Sequence, residues 1–246
     1  MKTALRILNL EDNETDAELN HAMLAARWPD CELMRVDTRE DFIAALEQGG
    51  FDLILSDYTM PGFDGRQALA LAHEKRPATP FLFVSGTIGE DTAIEALKNG
   101  ATDYVLKHRP IRLIPSVDRA LREARERAEC ERAEQSMRES EHKYRELFEC
   151  LGDAAFLVDE QTEKIIDVNR RAEQLLGCTR GEILGRKHPQ FLALNPAPVP
   201  AAVYESKMIR ANGSAVPVEV RVTRLKLYGR ALVLRLCHDL TGRDPV

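Results

Sequence analysis

The sequence lacks long hydrophobic runs, closely paired cysteines and concentrated basic charge, and each absence excludes a class of protein. No apolar stretch reaches the ~18 residues of a membrane-spanning helix, and acidic residues follow the amino terminus too early for a secretory signal. The five cysteines show no CxxC spacing, which argues against a disulfide framework or a zinc site. We therefore expect reduced thiols, no membrane partner and a cytoplasmic location.

Basic charge is also too thinly spread for a nucleic-acid surface. Residues 1–116 carry 12 Lys and Arg against 19 Asp and Glu, residues 117–150 carry 8 against 10, and residues 151–246 carry 14 against 11. Even the slightly basic last segment has no cluster that could follow a phosphate backbone, so we expect no nucleic-acid partner. The 246 residues, 44% apolar and 30% charged, are sufficient for two globular domains.

The first 116 residues alternate short apolar strands with amphipathic helices. Apolar runs bounded by turn residues predict strands at residues 4–10, 31–36, 53–56, 80–84 and 104–106. Helical periodicity, caps and glycine stops predict helices at residues 14–28, 38–48, 66–75 and 90–99. This alternation with short links is typical of an α/β fold with a doubly wound, five-stranded parallel sheet.

Acidic residues directly follow two of these strands. Glu11 and Asp12 come after the first strand, and Asp57 comes after the buried third strand. Ligands of open α/β sheets bind beyond the carboxyl ends of the strands, although an isolated Asp at such an end is commonly a turn or cap residue. Three acids in one pocket repel each other unless a cation neutralises them, and Mg2+ prefers oxygen ligands. The sequence therefore predicts a magnesium site at this edge.

The next two strand ends carry the groups that a phosphoryl group would need. Ser85 in FVSGT offers a hydroxyl donor, and Lys107 in YVLKH offers a cation. A carboxylate surrounded by a metal, a hydroxyl and an ammonium is suited to accept a phosphoryl group. We therefore expect Asp57 to be a phosphoacceptor.

The segments EDN, SDYTMPGFDG, FVSGT and NGATDYVLK resemble the receiver domain of two-component response regulators, and we assign residues 1–116 to such a domain. The resemblance implies a sheet with the strand order 2-1-3-4-5. It also implies that Asp57 accepts phosphate from a histidine kinase. Mg2+ would be held by Glu11, Asp12, Asp57 and the backbone carbonyl of Thr59.

Three further positions match the receiver pattern, and one departs from it. By the resemblance, Ser85 and Lys107 would bind the phosphoryl oxygens, and Tyr104 matches the family's aromatic switch position. The family's lysine is usually followed by proline, whereas His108 follows Lys107 here. Because a cis bond without proline costs about 3 kcal/mol, we expect a differently shaped loop at this place.

A single long helix is predicted after the receiver domain. Residues 111–150 contain no glycine, and their only proline, Pro115, lies in the first turn, where proline is tolerated. Apolar or small residues recur with 4-3 spacing and one five-residue step at Val117, Leu121, Ala124, Ala128, Ala133, Met137, Ser140, Tyr144, Leu147 and Leu151. We expect residues 117–150 to form a coiled-coil connector that joins two chains as a homodimer. The alternative is a solvated single helix held by Glu–Arg pairs.

The remaining residues show strand periodicity again. Strands are predicted at residues 154–159, 164–168, 202–210, 215–225 and 230–239, and short helices at residues 169–176 and 179–184. Glycine turns at residues 212–213 and 228–229 favour hairpins in an antiparallel sheet, and the proline-rich residues 189–200 favour a loop.

The segments HKYRELFECLGDAAFLVD, KIIDVNRRAEQLLGCTRGEILGR, RANGSAVPVEV and VLRLCHDLTG resemble a PAS domain, an α+β fold that we assign to residues 151–246. PAS domains bind haem, flavin or small metabolites, or only other proteins, so the ligand stays unknown. The cysteine of light-sensing flavin domains is missing, and we expect Cys178 to be structural. His188 is better explained as a loop histidine than as a haem ligand.

These features predict a cytoplasmic, phosphorylation-controlled signalling relay that consists of receiver, helical connector and PAS domain and acts on a downstream protein partner. No kinase, cyclase, phosphodiesterase or helix-turn-helix motif follows residue 239, so no separate output enzyme is expected. The alternatives are the input half of a longer hybrid sensor histidine kinase or cyclase, and a phosphate-independent scaffold.

Overall fold

The computed structural model of the protein describes residues 4–86, 90–191, 203–227 and 229–241. The chain divides into two compact units, residues 1–135 and residues 136–246. No helix in the described ranges combines the length and the apolar character that crossing a membrane requires.

The first unit alternates strands and helices as predicted. Its elements are β1 (Arg6–Leu10), α1 (Glu14–Arg27), β2 (Glu32–Val36), α2 (Arg39–Gln48), β3 (Leu53–Ser56), α3 (Gly65–Lys75), β4 (Phe81–Ser85), α4 (Glu90–Lys98), β5 (Asp103–Leu106) and α5 (Leu113–Glu149), which continues into the second unit. A short 3-10 turn, Pro110–Arg112, precedes α5.

The five strands form one parallel sheet in the order β2-β1-β3-β4-β5. This confirms the predicted α/β class and strand order. The central strands β3 and β4 are buried at every position because helices cover both faces of the sheet. Phe42 of α2 and Leu69 of α3 pack in the core on one face, whereas Leu24 of α1 and Val117 of α5 pack on the other. In such a layered sheet, ligands are expected beyond the carboxyl ends of the strands.

Polar caps begin the helices that flank these strand ends. Asn13 caps α1 by accepting hydrogen bonds from the N–H groups of Thr15 and Asp16. Asp64 caps α3 by accepting one from Gln67 at 2.9 Å. An uncapped helix end would leave these N–H groups without partners, so the caps fix where each helix starts.

The long helix α5 contains 37 residues and confirms the predicted single helix. Its beginning belongs to the first unit's core, because Val117 and Leu121 are buried there. The heptad pattern had placed both residues in a seam between chains, and that interpretation is wrong for these two positions. From residue 129 to residue 147 every side chain of α5 is exposed.

The second unit is built on an antiparallel sheet, which confirms the predicted α+β arrangement. It contains β6 (Ala154–Asp159), β7 (Ile165–Val168), α6 (Arg170–Leu176), α7 (Arg180–Ile183), β8 (Val203–Ile209), β9 (Ala215–Leu227) and β10 (Arg230–Asp239). The strand order is β7-β6-β10-β9-β8. One face of the sheet packs on α6 and α7 and forms the unit's core.

Asn169 joins the end of α5 to this sheet. Its fully buried side chain donates to the carbonyls of Phe148, at 3.3 Å, and Asp153, at 2.9 Å. Its Oδ1 accepts from Ala155 on β6 and from Ala172 on α6. One side chain thus forms hydrogen bonds with backbone groups of four segments.

The predicted loop at residues 189–200 lies mostly outside the described residues. Its described beginning is a 3-10 turn, His188–Phe191. His188, predicted to be a loop histidine rather than a haem ligand, lies in this turn and is fully buried.

Candidate functional site

The carboxylates of Glu11 and Asp57 lie side by side because their strands are neighbours. Leu10 and Ser56, the last residues of β1 and β3, are paired in register. The N–H of Asp57 donates to the carbonyl of Leu10 at 2.8 Å, which extends this pairing by one residue. Both side chains are almost buried, with 1% of Glu11 and 9% of Asp57 exposed. Parallel pairing therefore concentrates negative charge at one sheet edge.

Lys107 at the end of β5 binds both of these carboxylates. Its ammonium lies 2.7 Å from Asp57 Oδ2 and 3.0 Å from Glu11 Oε1. The backbone N–H of Lys107 donates to the carbonyl of Ser85, which fixes the residue next to the end of β4. Burial alone would lower the pKa of Lys107, but hydrogen bonds to three carboxylates raise it well above its usual range. The lysine is therefore a permanent cation in the site.

The third carboxylate bound by Lys107 is Asp16, which sequence reasoning missed. Asp16 Oδ2 lies 2.7 Å from the ammonium, and a third of its side chain is exposed. Asp16 is on the first turn of α1, five residues beyond Glu11, so that the turn capped by Asn13 brings it back over the same edge. The helix dipole alone favours an acidic residue in the first turn of a helix. The sequence therefore gives no separate sign that Asp16 also contacts Lys107.

The acidic group fits a divalent cation. One oxygen from each of Glu11, Asp12 and Asp57 lies within 4.8 Å of the others. Burial raises the pKa of Glu11 despite its contacts with Lys107, whose ammonium lies 3.0 Å from Oε1 and 2.9 Å from the buried Oε2. The contact at Oε2 is an ion pair without a directed hydrogen bond. An ionised buried carboxylate without full hydrogen bonding is costly, and a bound cation would remove this cost. A hard, oxygen-preferring ion such as Mg2+ suits this donor set.

The other predicted site residues lie around this centre. Ser85 ends β4 and is buried, and the N–H of Thr59 donates to Asp57 Oδ1 at 3.2 Å. Tyr104 on β5 is partly buried against the core next to α4. The structure thus places all predicted residues at one edge or on the strand beside it, while their roles stay predictions.

Two local features shape the edge. A side chain at Gly65 would meet the carbonyl oxygen of Asp57 at 2.9 Å and the ring of Phe83 at 2.6 Å, so only glycine lets α3 begin this close to Asp57. The bond between Lys107 and His108 is trans, and the chain after it turns directly into the 3-10 turn before α5.

Family comparisons agree with both units. The family described as "Response regulator receiver domain" matches residues 7–118, and the family described as "PAS domain" matches residues 142–209. The response regulator protein FleR of Pseudomonas aeruginosa is 34% identical over 105 residues, which is 42% of this chain and 22% of that protein. The regulatory protein LuxO of Vibrio cholerae is 33% identical over 116 residues, 47% of this chain and 25% of that protein. The chain thus spans about a fifth to a quarter of the length of these relatives.

Solved structures match each unit separately. A CheY-like receiver domain protein from Methanospirillum hungatei is 25% identical, with a TM-score of 0.46, and the match covers 50% of this chain and 98% of that chain. The PAS domain of an HTR-like protein from Haloarcula marismortui is 26% identical, with a TM-score of 0.40, over 45% of this chain and 99% of that chain. By the family matches, the chain contains a response regulator receiver domain at residues 7–118 and a PAS domain at residues 142–209.

Proposed function

We propose that the protein is a phosphorylation-controlled response regulator in which Asp57 accepts a phosphoryl group from a histidine kinase. The observation that carries this proposal is the position of Asp57. Asp57 and Glu11 both bind the ammonium of Lys107. Carboxylate oxygens of Glu11, Asp12 and Asp57 also lie within 4.8 Å of one another, close enough to bind one metal ion. The curated relatives FleR and LuxO carry names of regulators, which supports the same class of function.

In the proposed step, an oxygen of Asp57 attacks the phosphorus of a phosphohistidine. The O–P bond forms as the P–N bond breaks, and the imidazole leaves with the electron pair of that bond. The Lys107 ammonium, already 2.7 Å from Asp57, offsets the charge on the phosphoryl oxygens, and the Ser85 hydroxyl can donate to one of them. Glu11, Asp12 and Asp57, together with the Thr59 carbonyl, would hold Mg2+, which supplies positive charge to the same oxygens.

The change at Asp57 would be transmitted by a shift between two receiver conformations. Ser85 drawn onto the phosphoryl group leaves space next to Tyr104, whose ring is only partly buried and can turn inward. The connector helix would carry the shift to the PAS domain in a homodimer, which would then act on a downstream protein partner. In this proposal the receiver unit acts as the phosphoacceptor of the relay.

Phosphorylation with a small donor tests the proposal directly. Labelled acetyl phosphate with Mg2+ should add one acid-labile phosphate per chain, and Asp57→Asn should remove it. Asp52 precedes the same strand that Asp57 follows, and it accepts a hydrogen bond from the N–H of Arg6, so Asp52→Asn is the matched control that should keep the label.

Two results would contradict the proposal. Label retained in Asp57→Asn would place the acceptor elsewhere, and a protein that takes no label from acetyl phosphate or from any histidine kinase tested would favour the phosphate-independent scaffold. Undiminished labelling without Mg2+ would remove Glu11 and Asp12 from their proposed metal role.

A further inference from the structure

One arginine on β2, the strand at one end of the parallel sheet, holds the loop that carries two of the proposed metal ligands. Arg35 Nε donates to the backbone carbonyl of Glu11 at 3.0 Å, and Arg35 Nη2 donates to that of Asp12 at 3.0 Å. The same Nη2 also donates to Asp37 Oδ2 at 3.0 Å. One guanidinium thus binds two successive carbonyls, and both belong to residues whose carboxylates form the candidate magnesium site.

Strand pairing brings Arg35 next to this loop. In the parallel ladder between β1 and β2, Val36 pairs with Leu10, the last residue of β1. The N–H of Glu11 donates to the carbonyl of Val36 at 3.0 Å, so the pairing continues one residue beyond the strand. Strand β2 therefore holds the Glu11 backbone twice, at its N–H through Val36 and at its carbonyl through Arg35.

The peptide between Asp12 and Asn13 transmits the effect of Arg35 to a carboxylate. This peptide is trans, so its C=O and its N–H point in opposite directions. The C=O accepts from Arg35 Nη2, and the N–H donates to Glu11 Oε1 at 3.2 Å. The orientation that Arg35 gives to the peptide is therefore the one that places a hydrogen bond on an oxygen of Glu11.

Orientation of the loop, rather than charge, is the main effect of Arg35 on the site. Its described hydrogen bonds go to two backbone carbonyls and to Asp37, so they leave the carboxylate oxygens of the site free for a cation. The Arg35 side chain is 31% exposed and that of Asp37 is 47% exposed, so solvent screens the charge of Arg35. The two hydrogen bonds to the loop backbone are not weakened in this way, because they act through direct contact.

We propose that Arg35 is a positioning residue for the magnesium site. By holding the carbonyls of Glu11 and Asp12, it fixes the two carboxylates in the arrangement that binds the ion. This inference rests on the proposed metal role of Glu11 and Asp12. Residues that orient metal ligands from outside typically contribute about 10–100-fold to metal affinity. Arg35 therefore acts on the affinity for Mg2+ and not on the phosphoryl transfer step.

Titration of the full chain with MgCl2 tests the proposal. The amide signals of Asp12 and Asp57 in NMR spectra report the bound ion, and their shifts give the dissociation constant. We expect Arg35→Met to weaken Mg2+ binding by about 10–100-fold. In the Mg2+-free variant, the N–H of Asn13 should exchange with solvent faster than in the wild type, because the peptide that bears it is no longer held.

Two further variants separate orientation from charge, and they keep the test decisive if Arg35→Met does not fold. Arg35→Lys keeps the positive charge but loses the planar fork that binds both carbonyls, so it should weaken Mg2+ binding severalfold. Asp37→Ala removes only the exposed third acceptor of Arg35 and should change the affinity by about twofold or less.

Arg76 provides a matched control. Its Nε donates to the carbonyl of Leu46 at 2.7 Å and its Nη2 donates to that of Glu47 at 2.9 Å, so it holds two successive carbonyls as Arg35 does. These carbonyls belong to the end of α2, which precedes the amino end of β3, whereas Asp57 follows the carboxyl end of that strand. Arg76→Met should lower the receiver's stability and leave the Mg2+ affinity unchanged.

Phosphorylation from acetyl phosphate gives a second readout. At saturating Mg2+ the labelling rate of Arg35→Met should approach that of the wild type. The Mg2+ concentration that gives half of this rate should rise by the same factor as the dissociation constant. A purely structural role would lower the stability of the Mg2+-free receiver without this shift.

Three results would overturn the role of Arg35 and leave the proposed function intact. These are wild-type Mg2+ affinity in Arg35→Met, wild-type affinity in Arg35→Lys, which would reduce the effect to charge, and an equal loss of affinity in Arg76→Met. A wild-type chain that binds no Mg2+ would instead contradict the metal role of Glu11 and Asp12, and the role of Arg35 with it.

Discussion

Lys107 is the residue that organises the phosphoacceptor site, and Asp16 is the partner that distinguishes this chain's site from the sequence prediction. The ammonium binds Asp57, Glu11 and Asp16, all within 3.0 Å. Such charge-assisted contacts are stronger than neutral hydrogen bonds, particularly where burial limits solvent screening. Lys107 and Asp57 are mostly buried, whereas Asp16 is a third exposed.

We predict that Asp16→Asn lowers the pKa of Lys107. The same substitution should lower the receiver's free energy of unfolding by about 1 kcal/mol. The stabilisation from a lysine with a raised pKa is fully present below the unfolded pKa and is lost as the pH rises through the folded pKa. The variant should therefore lose stability at neutral pH, and the difference should shrink in strong alkali. Side-chain NMR titration and urea unfolding measure both effects. Glu18→Gln on the exposed side of α1 is the control, and an equal effect there would exclude a specific role for Asp16.

Glu11 gives the site a pH dependence of a different kind. Its pKa is raised from 4.5 mainly by burial, so its contribution to stability is present below that value and is lost as the pH rises through the folded pKa. Without Mg2+, the free energy of unfolding of the wild-type receiver should fall between acid and neutral pH. Glu11→Gln should make this fall smaller. Mg2+ should raise the free energy of unfolding of the wild type at neutral pH and have little effect on that of the variant.

Urea unfolding across this pH range with and without Mg2+ measures the change. Glu47→Gln is the control, because Lys75 lowers the pKa of Glu47 and its contribution to stability has the opposite sign. A wild-type pH profile that Glu11→Gln leaves unchanged would show that Glu11 titrates normally in the folded chain.

At the scale of elements, the junction between α5 and the PAS sheet depends on one buried asparagine. Asn169 pairs with the carbonyls of Phe148 and Asp153 and with two N–H groups. We predict that Asn169→Ala lowers the PAS domain's free energy of unfolding by about 2–4 kcal/mol, because four buried backbone groups lose their partner. Asn212→Ala in the exposed hairpin turn should cost about 1 kcal/mol or less.

Hydrogen exchange of PAS amides in the full chain is the suitable measurement, since two domains need not unfold in one step. The amides of Ala155 and Ala172 should lose protection first in Asn169→Ala. Equal losses in the Asn169 and Asn212 variants would mean that the junction is held by the surrounding apolar contacts alone.

The elements themselves were predictable because local signals and burial agree. Strand β3 is a short apolar run that ends at an acid, and α2 begins at the cap Thr38 and ends at Gly49 with a positive φ. The register of β1 and β3 then follows from parallel pairing, and with it the proximity of Glu11 and Asp57. The proximity of these two carboxylates was therefore accessible from the sequence, whereas the roles of the site residues stay predictions.

The missed features depend on contacts between distant residues. Asp16 reaches Lys107 across 91 positions of sequence, and His188 meets Arg235 across 47. Val117 fits both a heptad seam and a receiver core, and periodicity alone does not separate these environments. A polar residue that serves a tertiary contact carries the same local signal as one that faces solvent.

At the scale of the whole molecule, the exposed middle of α5 supports the proposed homodimer. Met137 is 74% exposed and Leu147 is 62% exposed, although both lie on the predicted seam. Tyr144 on the same seam is partly engaged within its own chain, where it stacks on Phe148 and donates to Asp167 at 3.2 Å. A parallel pair of helices would cover the exposed seam residues.

We predict that the full chain sediments as a dimer at tens of micromolar and that Met137→Glu with Leu147→Glu produces a monomer of unchanged domain stability. His142→Glu adds the same side chain away from the seam and should leave the dimer intact. A wild-type monomer, or a seam variant that remains dimeric, would move the interface elsewhere.

The number of hydrogens on Lys107 Nζ limits what the phosphoacceptor site can bind. An ammonium donates three hydrogen bonds, and at Lys107 all three are already taken by carboxylates. Lys107 can therefore donate a hydrogen bond to a phosphoryl group on Asp57 only if it gives up its hydrogen bond to one of these carboxylates. Asp16 is the most solvated of the three and lies outside the proposed metal ligands, so it is released at the lowest cost. Phosphorylation at the sheet edge would then uncover a negative charge on α1, where an approaching partner can detect it.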